Sequence, residues 1–148
     1  MNFQRESLFD IIEEVEPLLE AHYEELTLHK DVVKLNPKWK DYAALEQMGR
    51  FAVFTAREDG VLHGYNAFFV NTSMHYADLC VGQNDVFFIT PDHRRGTAAL
   101  RFLRYTEEQL QLLGVRKVVY HCKYGNNFAP ILHRLGYTDE EVMVGKII

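Results

Sequence analysis

Apolar and polar positions along this chain follow two periods, and each change of period marks an element. Between residues 7 and 27, Leu8, Ile11, Ile12, Val15, Leu19, His22, Tyr23 and Leu26 recur at helical spacing. Pro17 interrupts them, which predicts either one kinked helix or a second helix with Pro17 in its first turn. The opposite face is acidic: Glu13, Glu14, Glu16, Glu20, Glu24 and Glu25. It reads as a solvated face or as a rim that attracts a cationic amine. Lys30 to Lys40 is basic and irregular, with Asn36-Pro37 as a turn signal. Trp39 to Met48 predicts a short helix with Tyr42, Leu45 and Met48 on one side, ended by Gly49. Phe51–Arg57 and Val61–Val70 are apolar, aromatic-rich runs joined around Asp59-Gly60, a hairpin signal. Thr72 to Gln83 reads as a polar connection containing His75, Tyr76 and Asp78.

Val86 to Ile89 is a short apolar run of the kind buried strands show, and Pro91-Asp92 breaks it. A second helical stripe follows, with Ala99, Phe102, Leu103, Thr106, Leu110 and Leu113 on one face and Gly114 as the stop. Val115–Cys122 reads as a strand, Gly125-Asn126-Asn127 as a turn and Phe128–Leu135 as a short helix ended by Gly136. Glu141 to Ile148 reads as a final strand. This order predicts an α/β fold of the α+β kind: a central mixed sheet flanked by helices, with at least one βαβ crossover.

Composition adds bounds. A chain of 148 residues fits one domain, residues 1–148. At this size roughly 70% of the unfolded chain's surface is buried on folding, enough for a real core. The net charge of −5 argues against a nucleic-acid surface. No apolar run is long enough to span a membrane, and the acidic N-terminus does not read as a signal peptide. Cys80 and Cys122 form no motif and suit a reducing cytosol as buried thiols, so a cytoplasmic location is expected. His22, His29, His63 and His121 form no ligand spacing with a cysteine or carboxylate cluster, and His75 with Asp78 is too short a pattern. No metal is expected.

The turn after Ile89 carries the most chemistry. Arg94, Arg95, Gly96, Thr97, Ala98 and Ala99 feed a helix N-terminus, where backbone N–H groups and a positive dipole end favour a phosphate. The two arginines would add charge-assisted hydrogen bonds. The plainer reading is a strand-to-helix connection with solvated arginines.

This stretch resembles the acyl-coenzyme-A motif of the GNAT superfamily of N-acetyltransferases: a strand, often V-x-P, then R/Q-x-x-G-x-G/A, then a helix. Two registers compete, His93-x-x-Gly96-x-Ala98 and Arg94-x-x-Thr97-x-Ala99. The second keeps the usual distances to Pro91 and Gly114 and is preferred, although it puts Thr97 where glycine is usual. A second family motif, N-x-x-A-x-x-L-Y-x-x-L-G-F, meets Asn126, Ala129, Leu132, Leu135, Gly136 and Tyr137, with His133 where tyrosine is usual. The likeness covers nearly the whole chain and is closest to the compact forms of bacteria and their phages.

The resemblance implies acetyl-CoA as acetyl donor and coenzyme A as product. It implies that the central strand splays from its neighbour and that the backbone of Phe88, Ile89 and Thr90 holds the pantetheine arm. Arg94 to Ala99 would hold the pyrophosphate, with Asn126 in the same cofactor set. It implies a small-molecule amine, or a protein or peptide amine, as acceptor; homodimers are common in the family. For the base, alternation places Gln83, Asp85, Phe87 and Ile89 on one strand face, and Asp85 is the matching carboxylate. The plainer reading of Asp85 is a strand-start or turn aspartate paired with Asn84. His75 is the other candidate. For the acid, His133 stands in the tyrosine's place, with Tyr120 and Tyr124 as further donors. Two other classes stay open. The departures at His133 and Thr97 motivate an acyl-CoA-binding regulatory module with weak or no turnover. A nucleotide-phosphate enzyme would use the same turn, but the chain has no P-loop lysine motif or dinucleotide glycine fingerprint.

Overall fold

The computed structural model describes all 148 residues, Met1 to Ile148. Five strands form one sheet in sequential order: β1 (Asn2–Glu6), β2 (Phe51–Glu58), β3 (Val61–Thr72), β4 (Cys80–Ile89) and β5 (Lys117–Val119). β1 to β4 pair antiparallel, and β4 pairs with β5 in parallel. Four α-helices accompany them: α1 (Leu8–Leu26), α2 (Trp39–Gln47), α3 (Ala98–Leu112) and α4 (Ala129–His133). The β4–α3–β5 unit is the expected crossover.

Alternation along β2 and β3 sorts the core onto two faces. Phe51, Val53, Tyr65, Ala67 and, from β4, Phe88 meet Leu8, Ile11 and Val15 of α1. Ala52, Phe54, Phe68 and Ile89 meet Phe102 and Leu110 of α3. The hairpin turn falls at Asp59 and Gly60, both with positive φ (51° and 84°), as a two-residue turn between twisted strands requires.

α1 is one helix of 19 residues with Pro17 inside it. Its first turn is capped from a distance. Leu8 N donates to both Glu46 carboxylate oxygens of α2 (3.0 and 3.1 Å), and Ser7 Oγ donates to one of them (2.9 Å).

Several sequence expectations are corrected. β1 leaves no mark in the hydrophobic pattern, because its five residues contain one apolar side chain and no period shows. Phe3 nonetheless anchors it, stacking on Phe102 at 5.0 Å. β4 begins at Cys80, inside the stretch read as a polar connection, because backbone pairing with β3 and β5 outweighs side-chain polarity there. β5 is three residues long rather than eight. Glu141 to Ile148 forms no strand: it pairs with nothing, and Val142, Met143, Val144 and Ile148 are exposed.

Candidate active site

The register of β3 and β4 shifts once. Ala67 pairs with Val86, and Phe68 pairs with Asn84. Asp85 is therefore the unpaired residue of a β-bulge. A bulge breaks strict alternation. Asp85 and Val86 both line the α1–α2 face, whereas Phe87 and Ile89 pack on the α3 face. This corrects the expectation that Asp85 shares a face with Phe87 and Ile89. Asn84 is no turn partner either. It is buried, and its amide nitrogen donates to Asn66 Oδ1 (2.9 Å), Ala67 O (3.1 Å) and Val86 O (3.1 Å), pinning the carbonyls around the bulge.

Asp85 faces a cavity of about 280 Å³ between α1, α2 and the sheet. Tyr42 Oη donates to Asp85 Oδ2 at 3.0 Å. Burial raises the Asp85 pKa above the ordinary aspartate value, and the Tyr42 hydrogen bond partly offsets this. Tyr65 also lines the cavity, with its Oη 2.9 Å from His22 Nδ1. The His22 ring stacks on Phe88 at 5.0 Å. Burial lowers the His22 pKa to about 4, so the imidazole is neutral at neutral pH and can accept the phenol's proton in a hydrogen bond. Sequence reasoning missed Tyr42, Tyr65 and His22 as site residues, because each sat in an apolar pattern that equally signals core.

On the other side of β4, a gap opens. β4 and β5 pair only from Val81–Lys117 to Gln83–Val119, while β4 runs on to Ile89. Tyr120 stands where the strands part, and its Oη accepts from Asn66 Nδ2 at 3.0 Å. Phe128 packs against both Tyr120 (5.8 Å) and Phe87 (5.1 Å).

Past Ile89 the chain makes a 3-10 turn, Pro91–His93, and reaches α3. The first helical bond runs from Arg101 N to Thr97 O, and the amides of Arg95, Gly96, Thr97, Ala98, Ala99 and Leu100 donate to no protein acceptor. Gly96 holds a φ of 66°, which lets successive amides converge. Six unpartnered amides at a helix N-terminus fit a pyrophosphate. The arginines behave differently. Arg94 is clamped by Glu25 (2.7 and 2.6 Å), while its Nε donates to Ile89 O (2.7 Å). Arg95 is exposed. Asn126 Nδ2 also donates to Glu25, at 2.6 Å. Thr90 turns inward: its amide donates to His63 O (2.8 Å) and its carbonyl accepts from His93 N (2.9 Å). Thr90 and, two residues back, Phe88 therefore pair with β3, whereas Ile89 turns its backbone away from β3, its carbonyl held by Arg94 Nε.

The remaining candidates lie elsewhere. His75 is exposed in the β3–β4 connection, beside Tyr76 and hydrogen-bonded to neither Asp85 nor Tyr42. His133 points outward, 46% exposed on its side chain, with Nε2 2.8 Å from Asp139. The α4 residue that turns inward is its neighbour Leu132. Tyr124 is 89% exposed. The acidic face of α1 is largely engaged: Glu14 with Arg57, Glu16 with Trp39 Nε1, Glu24 with Lys30 and Glu25 with Arg94.

The sequence matches no family model and no curated protein. Solved structures do match. An aminoglycoside acetyltransferase from an uncultured soil metagenomic sample, in complex with sisomicin, superposes with a TM-score of 0.75 at 14% identity over 99% of this chain and 95% of its own. A ribosomal-protein-alanine N-acetyltransferase from Brucella melitensis biovar Abortus 2308 gives 0.73 at 20% identity, over 99% and 97%. A predicted acetyltransferase from Clostridium acetobutylicum, solved with acetyl-CoA, gives 0.72 at 12% identity, over 99% and 95%. The fold is that of the GNAT acetyltransferases. Within this GNAT fold the splayed pair is β4 and β5, and the bulge at Asp85 marks where their pairing ends. No helix is long and apolar enough to cross a membrane.

Proposed function

We propose that this chain transfers the acetyl group of acetyl-CoA to a primary amine by direct attack on the thioester. The observation that supports it is the make-up of β4. One strand carries a half-buried carboxylate at its bulge and leads, through the 3-10 turn, to six unpartnered amides, beside the gap where β5 departs. From Asp85 to Ile89 is about 13 Å of strand, a span suited to the pantetheine arm. Acetyl-CoA supplies an activated acetyl thioester. The amides from Arg95 to Leu100 hold its pyrophosphate, with Arg94, Arg95 and Asn126 at the rim. The β4 edge at Ile89 orients the arm.

Asp85 takes the proton of the incoming ammonium, directly or through a water, and its raised pKa moves it toward that task. The neutral amine nitrogen forms the new bond to the acyl carbon, the carbon–sulfur bond breaks with its electron pair on sulfur, and the nitrogen's surplus proton passes to that thiolate, giving the amide and coenzyme A thiol. Tyr120 donates a hydrogen bond to the departing sulfur. Its pKa is raised by burial, so it retains its proton at neutral pH, and its Oη already accepts from Asn66. His133, turned to Asp139, is not given that role.

The test is a screen of pooled amines and peptides with acetyl-CoA, read by free thiol and by the mass of the acetylated product. Absence of both coenzyme A binding and thiol release overturns the reading. Replacing Arg94 and Arg95 by alanine weakens coenzyme A binding more at low salt than at high salt. The Glu25 clamp on Arg94 and Asn126 favours a second reading, a coenzyme-A-binding module without turnover. Tight binding with no thiol release for any amine selects it.

A further inference from the structure

The cavity beside Asp85 says more about the acceptor than the fold does. At about 280 Å³ it lies just below the usual span of ligand sites, about 300–1,000 Å³. Of its 18 lining residues 13 are hydrophobic, and the charged ones are Asp85 and Lys34. Its polar side chains are mostly committed. Tyr42 donates to Asp85, Tyr65 pairs with His22, and Tyr23 Oη donates to Val33 O at 2.7 Å. Trp39, another wall residue, sends its Nε1–H to Glu16 at 3.2 Å.

Building on the acetyl-transfer reading above, we propose that this cavity takes a primary monoamine carried on an apolar body the size of an aromatic ring, with the amino group at Asp85. Three arguments converge. One carboxylate compensates one ammonium, and a second cationic group would be buried without a partner and near Lys34. A polyhydroxylated body would strip water from its hydroxyls and find the tyrosines already engaged. An aromatic body gains a wall of rings: Trp39 lies 6.2 Å from Tyr42, and Tyr42 lies 4.9 Å from Phe51.

Trp39 is the single tryptophan of the chain, so its fluorescence reports this wall alone. The purified protein is titrated with 2-phenylethylamine, spermidine and sisomicin, and thiol release from acetyl-CoA is followed in parallel with each. The expected result is a saturable change in Trp39 emission with 2-phenylethylamine at concentrations at least tenfold below those needed for the other two. Asp85→Asn weakens that response at least tenfold. Leu35→Lys, which adds a cation at the partly exposed rim, weakens it several-fold and serves if Asp85→Asn fails to fold. Equal or tighter binding of spermidine or sisomicin overturns the proposal, as does an unperturbed Trp39 with 2-phenylethylamine. Thiol release with spermidine or sisomicin only keeps acetyl transfer and overturns this acceptor class. Binding of 2-phenylethylamine without thiol release for any amine keeps the cavity's ligand class and overturns acetyl transfer.

Discussion

The two faces of the sheet are built from the same strands and finished differently. On the α3 side, Phe54, Phe68, Phe102 and Leu110 are fully buried. Even the polar side chains there are closed into a network, Asn84 to Asn66 and Asn66 to both Thr106 and Tyr120. On the α1–α2 side the rings meet around a cavity, and a half-buried carboxylate looks into it. The reason is connectivity. α3 belongs to a crossover between parallel neighbours and must lie flat on the sheet. α1 and α2 are joined by residues 27–38, most of whose side chains are exposed, so the space between helices and sheet is only partly filled. Both faces carry a buried core, but the α3 face is closed and the α1–α2 face keeps a cavity beside its core.

The largest effect expected from this contrast is on stability. Phe102 is 0% exposed and stacks with Phe3, so Phe102→Ala costs about 3–5 kcal/mol, read as a fall in Tm by calorimetry. Tyr42→Phe, across the sheet, removes one hydrogen bond and costs about 1 kcal/mol. Equal losses would erase the distinction between the faces.

Next comes Asp85→Asn, which lowers kcat/KM by about 10² to 10⁴, the usual loss for a positioned base. Its effect on stability has the opposite sign. The folded state raises the Asp85 pKa, so it holds that proton more tightly than the unfolded chain, and stability falls as pH rises through the folded pKa. Removing the charge therefore leaves Tm at neutral pH unchanged or higher. A lower Tm with an unaltered pH–rate profile would make Asp85 structural.

His22 gives a smaller, pH-dependent effect. Its pKa falls from 6.5 to about 4 on folding, so below pH 6.5 the unfolded chain takes up the proton first. Its contribution is full above pH 6.5 and is lost as pH falls to about 4. His22→Phe keeps a ring on Phe88 and flattens the Tm-against-pH curve across that window. An unchanged curve would show that His22 is not held neutral. The smallest effect is at His133. Its exposed contact with Asp139 predicts a change within about 0.5 kcal/mol for His133→Ala, and kcat is expected to stay the same. A large loss of kcat would return it to the thiol side in place of Tyr120.

The hydrophobic pattern was enough to set out most of the helices, the hairpin and the crossover, because each exposes one apolar face to a single core. The strand-to-helix turn with its free amides was legible for a similar reason: backbone amides at a helix N-terminus are fixed by local chain geometry, whichever side chains surround them. β1 and the true length of β4 were not legible, since backbone pairing with a neighbour leaves no mark on side-chain polarity. Nor was the side of the sheet that Asp85 faces. One unpaired residue opposite the Ala67–Phe68 step turns it toward α1 and α2, and nothing in Gln83-Asn84-Asp85-Val86 announces that shift. The partners of Arg94, Asn126 and His133 were decided by residues 69, 101 and 6 positions away in the chain. Periodicity reports how a segment divides inside from outside. Which distant group meets it inside is set only when the helices and strands pack.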